Sequence, residues 1–235
     1  MKYSSKYYKR CLIKYFSSNI LFTSYKSICE ITISNNDRRN ALSHSIINQL
    51  SHKISEVEKS ENRPKAIIIS SEGRVFSSGH DLNELLNSND KGIIIKDCCE
   101  LIRKIRNSKI LFLAEVQGLT TAAGFQLVEA CDMIIASSKS SFSIPGLKIG
   151  LYASTPAVAI IENIPRKIAF DILLKGTIFS AYEAYKYNFI NYVVNLDHLD
   201  NLIKEKEILR EFTMKILENI NYDNILEIKK TLYKD

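Results

Sequence analysis

QGLTTAAGFQLVEACD, residues Gln117 to Asp132, sets a glycine- and alanine-rich turn directly before an apolar helical run. The small residues Gly118, Ala122, Ala123 and Gly124 leave main-chain N–H groups uncovered. At a helix start the first four N–H groups lack intrahelical acceptors, and the helix dipole favours negative charge there. The stretch therefore predicts an anion-binding turn. The apolar strand ILFLAEV (Ile110 to Val116) leads into it, and MIIAS (Met133 to Ser137) leads away. Strand, helix and strand, with the site at a strand end, predict an α/β layer.

On the N-terminal side, SICEITIS (Ser27 to Ser34) alternates as a strand and ends in the turn NNDRRN (Asn35 to Asn40). Ser43 then caps an amphipathic helix carrying Ile46, Ile47, Leu50, Ile54 and Val57. KAIIIS (Lys65 to Ser70) reads as a buried strand. The turn SEGRVFSSGHDL (Ser71 to Leu82) follows, with a short helix beginning near Asp81, which caps it. The loop NSNDKG precedes a helix around Asp97 to Arg106.

On the C-terminal side, SSFSIPGLKIGLYASTP (Ser140 to Pro156) reads as short strand and loop pieces near the site. Pro156 and Pro165 suit first helical turns, and Gly176 suits a helix stop. Ser180 and Glu183 form a capping-box pattern. FINYVV (Phe189 to Val194) reads as a strand, and the chain from His198 onward as amphipathic helix.

The 235 residues are 46% hydrophobic, enough for one large core without staples. The net charge of +6 is confined to one end. Lys2, Lys6, Lys9, Arg10, Lys14 and Lys26 precede the first acid, Glu30, and the remaining basic residues equal the 26 acids. A neutral body argues against a nucleic-acid or membrane surface. The basic, serine- and tyrosine-rich stretch of residues 1–26 has the composition of a mitochondrial presequence, which predicts a place in the mitochondrial matrix; the alternative is an ordinary basic tail. No run reaches the roughly 18 apolar residues that a spanning helix needs. The five cysteines include no CxxC pair, which argues against metal and disulfide frameworks and for buried thiols in a reducing compartment.

FSSGHDL (Phe76 to Leu82) and GLTTAAGFQLVEACD (Gly118 to Asp132) each place small residues at a turn before a helix. Together with RRNALS, FSIPGLKIGL and PRKIAFDILLKG in the same order, they resemble the crotonase superfamily, the enoyl-CoA hydratase and isomerase family. The resemblance runs from about Ile31 to Val194. It implies an α/β crotonase (ClpP-like) spiral of ββα units over residues 27–196, with a shortened helical C-terminal region at 197–235. It also implies a homotrimer or dimer of trimers, and an acyl-CoA thioester as ligand with no other cofactor. Two main-chain N–H groups would hold the thioester oxygen as an oxyanion hole, and the matching positions are Ser78 and Ala123. Such a donor is worth about 3 kcal/mol in a transition state.

Hydratases of this family carry two glutamates that handle water and proton, and the matching positions here are Gln126 and Gly146. An amide cannot take up a proton as a carboxylate does, and glycine has no side chain, so hydration loses its acid and its base. What remains is enolate chemistry without strong acid–base help, or acyl-CoA binding without catalysis. His80 is either an ordinary turn histidine or a group that reaches the substrate, since imidazole titrates near neutrality. Glu129, three residues after Gln126, either shares its helical face or is a buried or interface glutamate paired with a lysine. The resemblance assigns CoA contacts to Arg39, Ala41, Ser78, Gly79, His80, Asp81, Ala123 and Gly124, with Arg38, Lys148 and Lys167 as auxiliary cations.

Overall fold

The β-branched runs become the centre of the molecule. The computed structural model describes residues 11–13, 19–87, 91–152 and 154–233. The chain opens with β1 (Cys11–Ile13), β2 (Ile20–Tyr25), β3 (Ile28–Ile33) and helix α1 (His44–Lys59). Three strand pairs follow, each leading into helix. β4 (Ala66–Ser71) and β5 (Val75–Ser77) run into α2 (Leu82–Asn87) and α3 (Lys91–Arg106). β6 (Leu111–Val116) and β7 (Leu119–Thr121) run into α4 (Ala123–Glu129). β8 (Met133–Ser137) and β9 (Ser141–Ser143) run into α5 (Ser154–Asn163) and α6 (Arg166–Lys175). The chain ends with β10 (Phe179–Ser180), α7 (Ala181–Lys186), β11 (Tyr192–Val194), α8 (Leu202–Glu218) and α9 (Ile225–Leu232).

The first strand of each pair joins a seven-stranded sheet ordered β1-β2-β3-β4-β6-β8-β11, and the second joins a four-stranded sheet ordered β10-β9-β7-β5. β3, β4, β6, β8 and β11 run parallel. The alternation between sheets is the coil of ββα units implied by the sequence resemblance. Parallel strands covered on both faces need continuous apolar runs, and AIIISS and LFLAEV are buried throughout. One face of the large sheet packs against α1, α3, α4 and the small sheet, and the other packs against α8 and the start of α9. Behind α4, Phe125 stacks on Phe189 with centroids 4.2 Å apart and meets Phe142 edge-on at 6.3 Å. These rings pin the helix that carries the opening motif.

Three boundaries differ from the sequence expectation. The core begins before residue 27, because β2 pairs with β3 along its whole length and Ile20 is buried. The short apolar run at the start of ILFTSY was hidden by the basic, serine-rich composition around it, and residues 1–10 and 14–18 of the expected leader lie outside the described residues. Helix α3 already includes Lys91 and Gly92, since Ile94 starts its buried face together with Cys98, Leu101 and Ile105. In FINYVV only Tyr192–Val194 is strand, because Phe189 turns into the aromatic cluster. The C-terminal helical region is present as two helices, with Asn224 left-handed (φ 62°) at the start of α9.

Candidate active site

The two glycine-bearing turns adjoin. A Cβ placed on Gly79 would lie 2.9 Å from Cβ of Ala122 and 3.3 Å from the nitrogen of Ala123, so only glycine lets the turns approach this closely. On one side, the segment Arg39–Leu42 zips against Ser78–Asp81. The Ser78 N–H donates to the Arg39 carbonyl (3.1 Å), Leu42 N–H to Gly79 (2.7 Å) and Asp81 N–H to Leu42 (3.3 Å). This ladder consumes the N–H groups of Ser78 and Asp81, with the left-handed Gly79 (φ 86°) breaking the strand alternation between them. The Gly79 N–H turns back to Oγ of Ser77 at 3.2 Å. Among the described residues, the His80 N–H has no acceptor. On the other side, Ala122 donates to the Ser143 carbonyl (3.1 Å), and Ala123 begins α4 with its N–H outside the intrahelical ladder. Ala122 holds φ 49° and ψ −118°, a conformation usually left to glycine.

The first expected donor is thus corrected. Ser78 spends its N–H on Arg39, and the free N–H of that turn belongs to His80, two residues on. The sequence shows which turns carry small residues, but the choice of free amide depends on the long-range partner Arg39–Leu42. Ala123 is fully buried at the head of α4.

The side chains around these amides are mostly neutral or paired. Gln126, one turn into α4, is buried, and its Oε1 has no hydrogen-bond partner. Nδ1 of His80 is likewise buried without a partner. Burial pushes the His80 pKa below 6.5, opposed by the neighbouring Leu42 carbonyl. Asp81 accepts the Asn83 and Glu84 N–H groups at 3.0 and 3.3 Å, as a cap should, and pairs with Arg38 at 2.8 Å. Gly146 is buried beside a small cavity of about 10 Å³ lined by Ile144, Leu147, Tyr152 and Leu173. Glu129 is buried and engaged by other side chains. Its partners are Arg106 (2.6 Å) and Asn163 (2.8 Å), not a lysine, and desolvation raises its pKa against the pull of Arg106.

A family model described as enoyl-CoA hydratase/isomerase matches residues 23–221. The chain belongs to the enoyl-CoA hydratase/isomerase family. It is 46% identical over 176 residues to enoyl-CoA hydratase domain-containing protein 3, mitochondrial, of Mus musculus, covering 74% of this chain and 58% of that protein. It is 41% identical over 196 residues to the Homo sapiens protein of the same name, covering 82% and 61%. The chain therefore spans about three fifths of the length of these relatives. The crystal structure of human enoyl coenzyme A hydratase domain-containing protein 3 superposes with a TM-score of 0.81 at 36% identity, over 92% of this chain and 84% of that one.

Within this family framework the remaining expected positions divide. Ala41, Gly79 and Gly124 lie in the adjoining turns, with Ala41 nearly buried. Arg39 is exposed with a left-handed φ of 51°. Lys148 and Lys167 are exposed on the segments after β9, outside the zipped turns. Sequence reasoning missed Asn40 and Ser77, both fully buried beneath the turns. Their only signal was position: both lie inside the short motifs RRNALS and FSSGHDL that form the turns.

Proposed function

We propose that the chain binds an acyl-CoA thioester and polarises its carbonyl with the main-chain N–H groups of His80 and Ala123. The observation that carries this reading is the pair of unengaged amides on adjoining glycine-bearing turns, in a chain whose family acts on CoA esters. Donors fixed before the ligand arrives need no reorganisation as negative charge develops on the thioester oxygen. Arg39 and Ala41, with Gly79, Asp81 and Gly124, form the surrounding CoA contacts. The coenzyme enters as part of the ligand, and no other cofactor is required.

Gln126 and Gly146 offer no proton acceptor, so the reading excludes efficient hydration of an enoyl thioester; two absent acid–base groups cost on the order of 10²–10⁴-fold each. The compatible chemistry forms or stabilises an enolate without an external base, as in decarboxylation, or cleaves the thioester. The missing carboxylates favour a second reading, a non-catalytic acyl-CoA sensor or assembly partner. The mitochondrial names of the relatives and the basic leader support a matrix location in lipid metabolism, with assembly as a homotrimer or dimer of trimers.

Calorimetric titration with short-, medium- and long-chain acyl-CoA esters, joined to a mass-spectrometric screen for products, tests both readings. Binding with turnover supports the enzyme, and binding without any product supports the sensor. Ala123→Trp should weaken binding by about tenfold or more. If no CoA ester binds and Ala123→Trp behaves as the parent, both readings fail.

A further inference from the structure

We propose that Ser77 is a positioning residue that sets the spacing between the two main-chain donors of the site; the inference rests on the acyl thioester reading above. Ser77 is the last residue of β5 and has no exposed surface. Its hydroxyl donates to the Asn40 carbonyl at 2.9 Å and accepts the Gly79 N–H at 3.2 Å. The same side chain lies under the second residue of α4. A Cβ on Gly124 would come within 2.6 Å of Cβ and 2.8 Å of Oγ of Ser77. One serine therefore touches both halves of the site. It ties down the residue before His80, and it abuts the residue after Ala123.

The base under Ser77 is itself fixed. Asn40 is fully buried, and its amide donates to the carbonyls of Glu72 (2.8 Å) and Val75 (2.7 Å) while accepting the Asn35 N–H (2.8 Å). With every polar group of Asn40 engaged, the carbonyl that anchors Ser77 cannot drift. An oxyanion donor works at roughly 2.7–3.1 Å from the oxygen it stabilises, so a small change in the gap between turns weakens both bonds to one oxygen. Ser77 carries no charge and reaches no ligand. Its influence is through geometry alone.

Infrared difference spectra of short-, medium- and long-chain saturated acyl-CoA, isotope-labelled at the thioester carbonyl, report that geometry directly. Two hydrogen bonds to the oxygen move the carbonyl band to lower frequency on binding. In Ser77→Ala most of this shift should be lost while affinity for free coenzyme A is kept. Gly124→Ala, which forces α4 away from Ser77 without removing the hydroxyl, should also reduce it. Thr213→Ala removes an equally buried hydroxyl on the opposite face of the large sheet and should leave the shift at the parent value. Should Ser77→Ala fail to fold, Gly124→Ala against Thr213→Ala decides the question. A parent-sized shift in folded Ser77→Ala or in Gly124→Ala overturns the proposal and leaves the thioester reading intact. No shift in the parent protein with any of the esters overturns the thioester reading, and this proposal with it.

Discussion

His80 combines a free main-chain N–H with a half-buried ring whose Nδ1 is shielded from solvent, and the ring makes the site sensitive to pH in a direction that can be derived. Burial disfavours the imidazolium, so the folded-state pKa lies below the ordinary 6.5. As pH falls through the unfolded value, the unfolded chain takes up a proton that the folded chain refuses. Stability contributed by neutral His80 is therefore present above pH 6.5 and is lost on acidification towards the depressed folded value. Other buried groups act in the opposite sense, since desolvation raises the pKa values of Glu129 and Asp132. Subtraction isolates the histidine. Urea midpoints measured from about pH 7.5 to 5.5 should fall less steeply in His80→Gln than in the parent. Parallel slopes would show that the ring is solvated in both states. At this scale the family resemblance implied that Gln126 and Gly146 take the places of carboxylates, because that is a matter of residue identity. It could not show that His80 rather than Ser78 keeps a free N–H, because that depends on where the carbonyl of Arg39 comes to lie.

The helix α8 is held by a charge cluster rather than by its apolar stripe alone. Arg210, fully buried, bonds both oxygens of Glu30 on β3 (2.6 and 2.7 Å) and both oxygens of Glu115 on β6 (2.7 Å each). Ser70 on the intervening β4 completes Glu30 at 2.7 Å. The two carboxylates hold the guanidinium charged against the cost of burial. Removing only the arginine leaves two carboxylates uncompensated in the interior, so Arg210→Ala should cost about 3–5 kcal/mol in urea unfolding. Replacing all three residues with apolar ones should recover most of that loss, because packed apolar groups substitute for a buried ion cluster at little net cost. A small effect of Arg210→Ala would mean that water enters and solvates the carboxylates. The strands and the helix were each legible from their periodicity. Their connection was not: Glu30 occupies a strand position that reads as solvent-facing, and its partner lies 180 residues away. The hidden β2 belongs to the same class, since a strand inside a basic leader is recognised only when β3 is there to pair with it.

On the scale of the whole molecule, exposed apolar side chains gather around α5 and α6. Tyr152 (73% exposed), Phe170 (66%), Leu174 (61%) and Ile178 (66%) lie on the consecutive, mutually packed segments around α5 and α6, with Val158 and Ile161 also exposed. Single exposed apolar residues are ordinary, but a concentration of this kind on one part of the surface marks an interaction site. None of these side chains forms part of the adjoining turns at His80 and Ala123, and of them Tyr152 lines the small cavity beside Gly146. The proposed homotrimer would cover them, and a specific contact needs about 1,000 Å² or more. Sedimentation velocity on the purified chain should therefore give about three times the 26.8 kDa chain mass, or a multiple of that trimer. Phe170→Glu places a charge that must be desolvated on assembly, and it should shift the distribution to the single-chain mass while leaving the far-ultraviolet circular dichroism spectrum unchanged. A single-chain mass for the parent, or a trimer that tolerates Phe170→Glu, would assign the apolar region to a different partner.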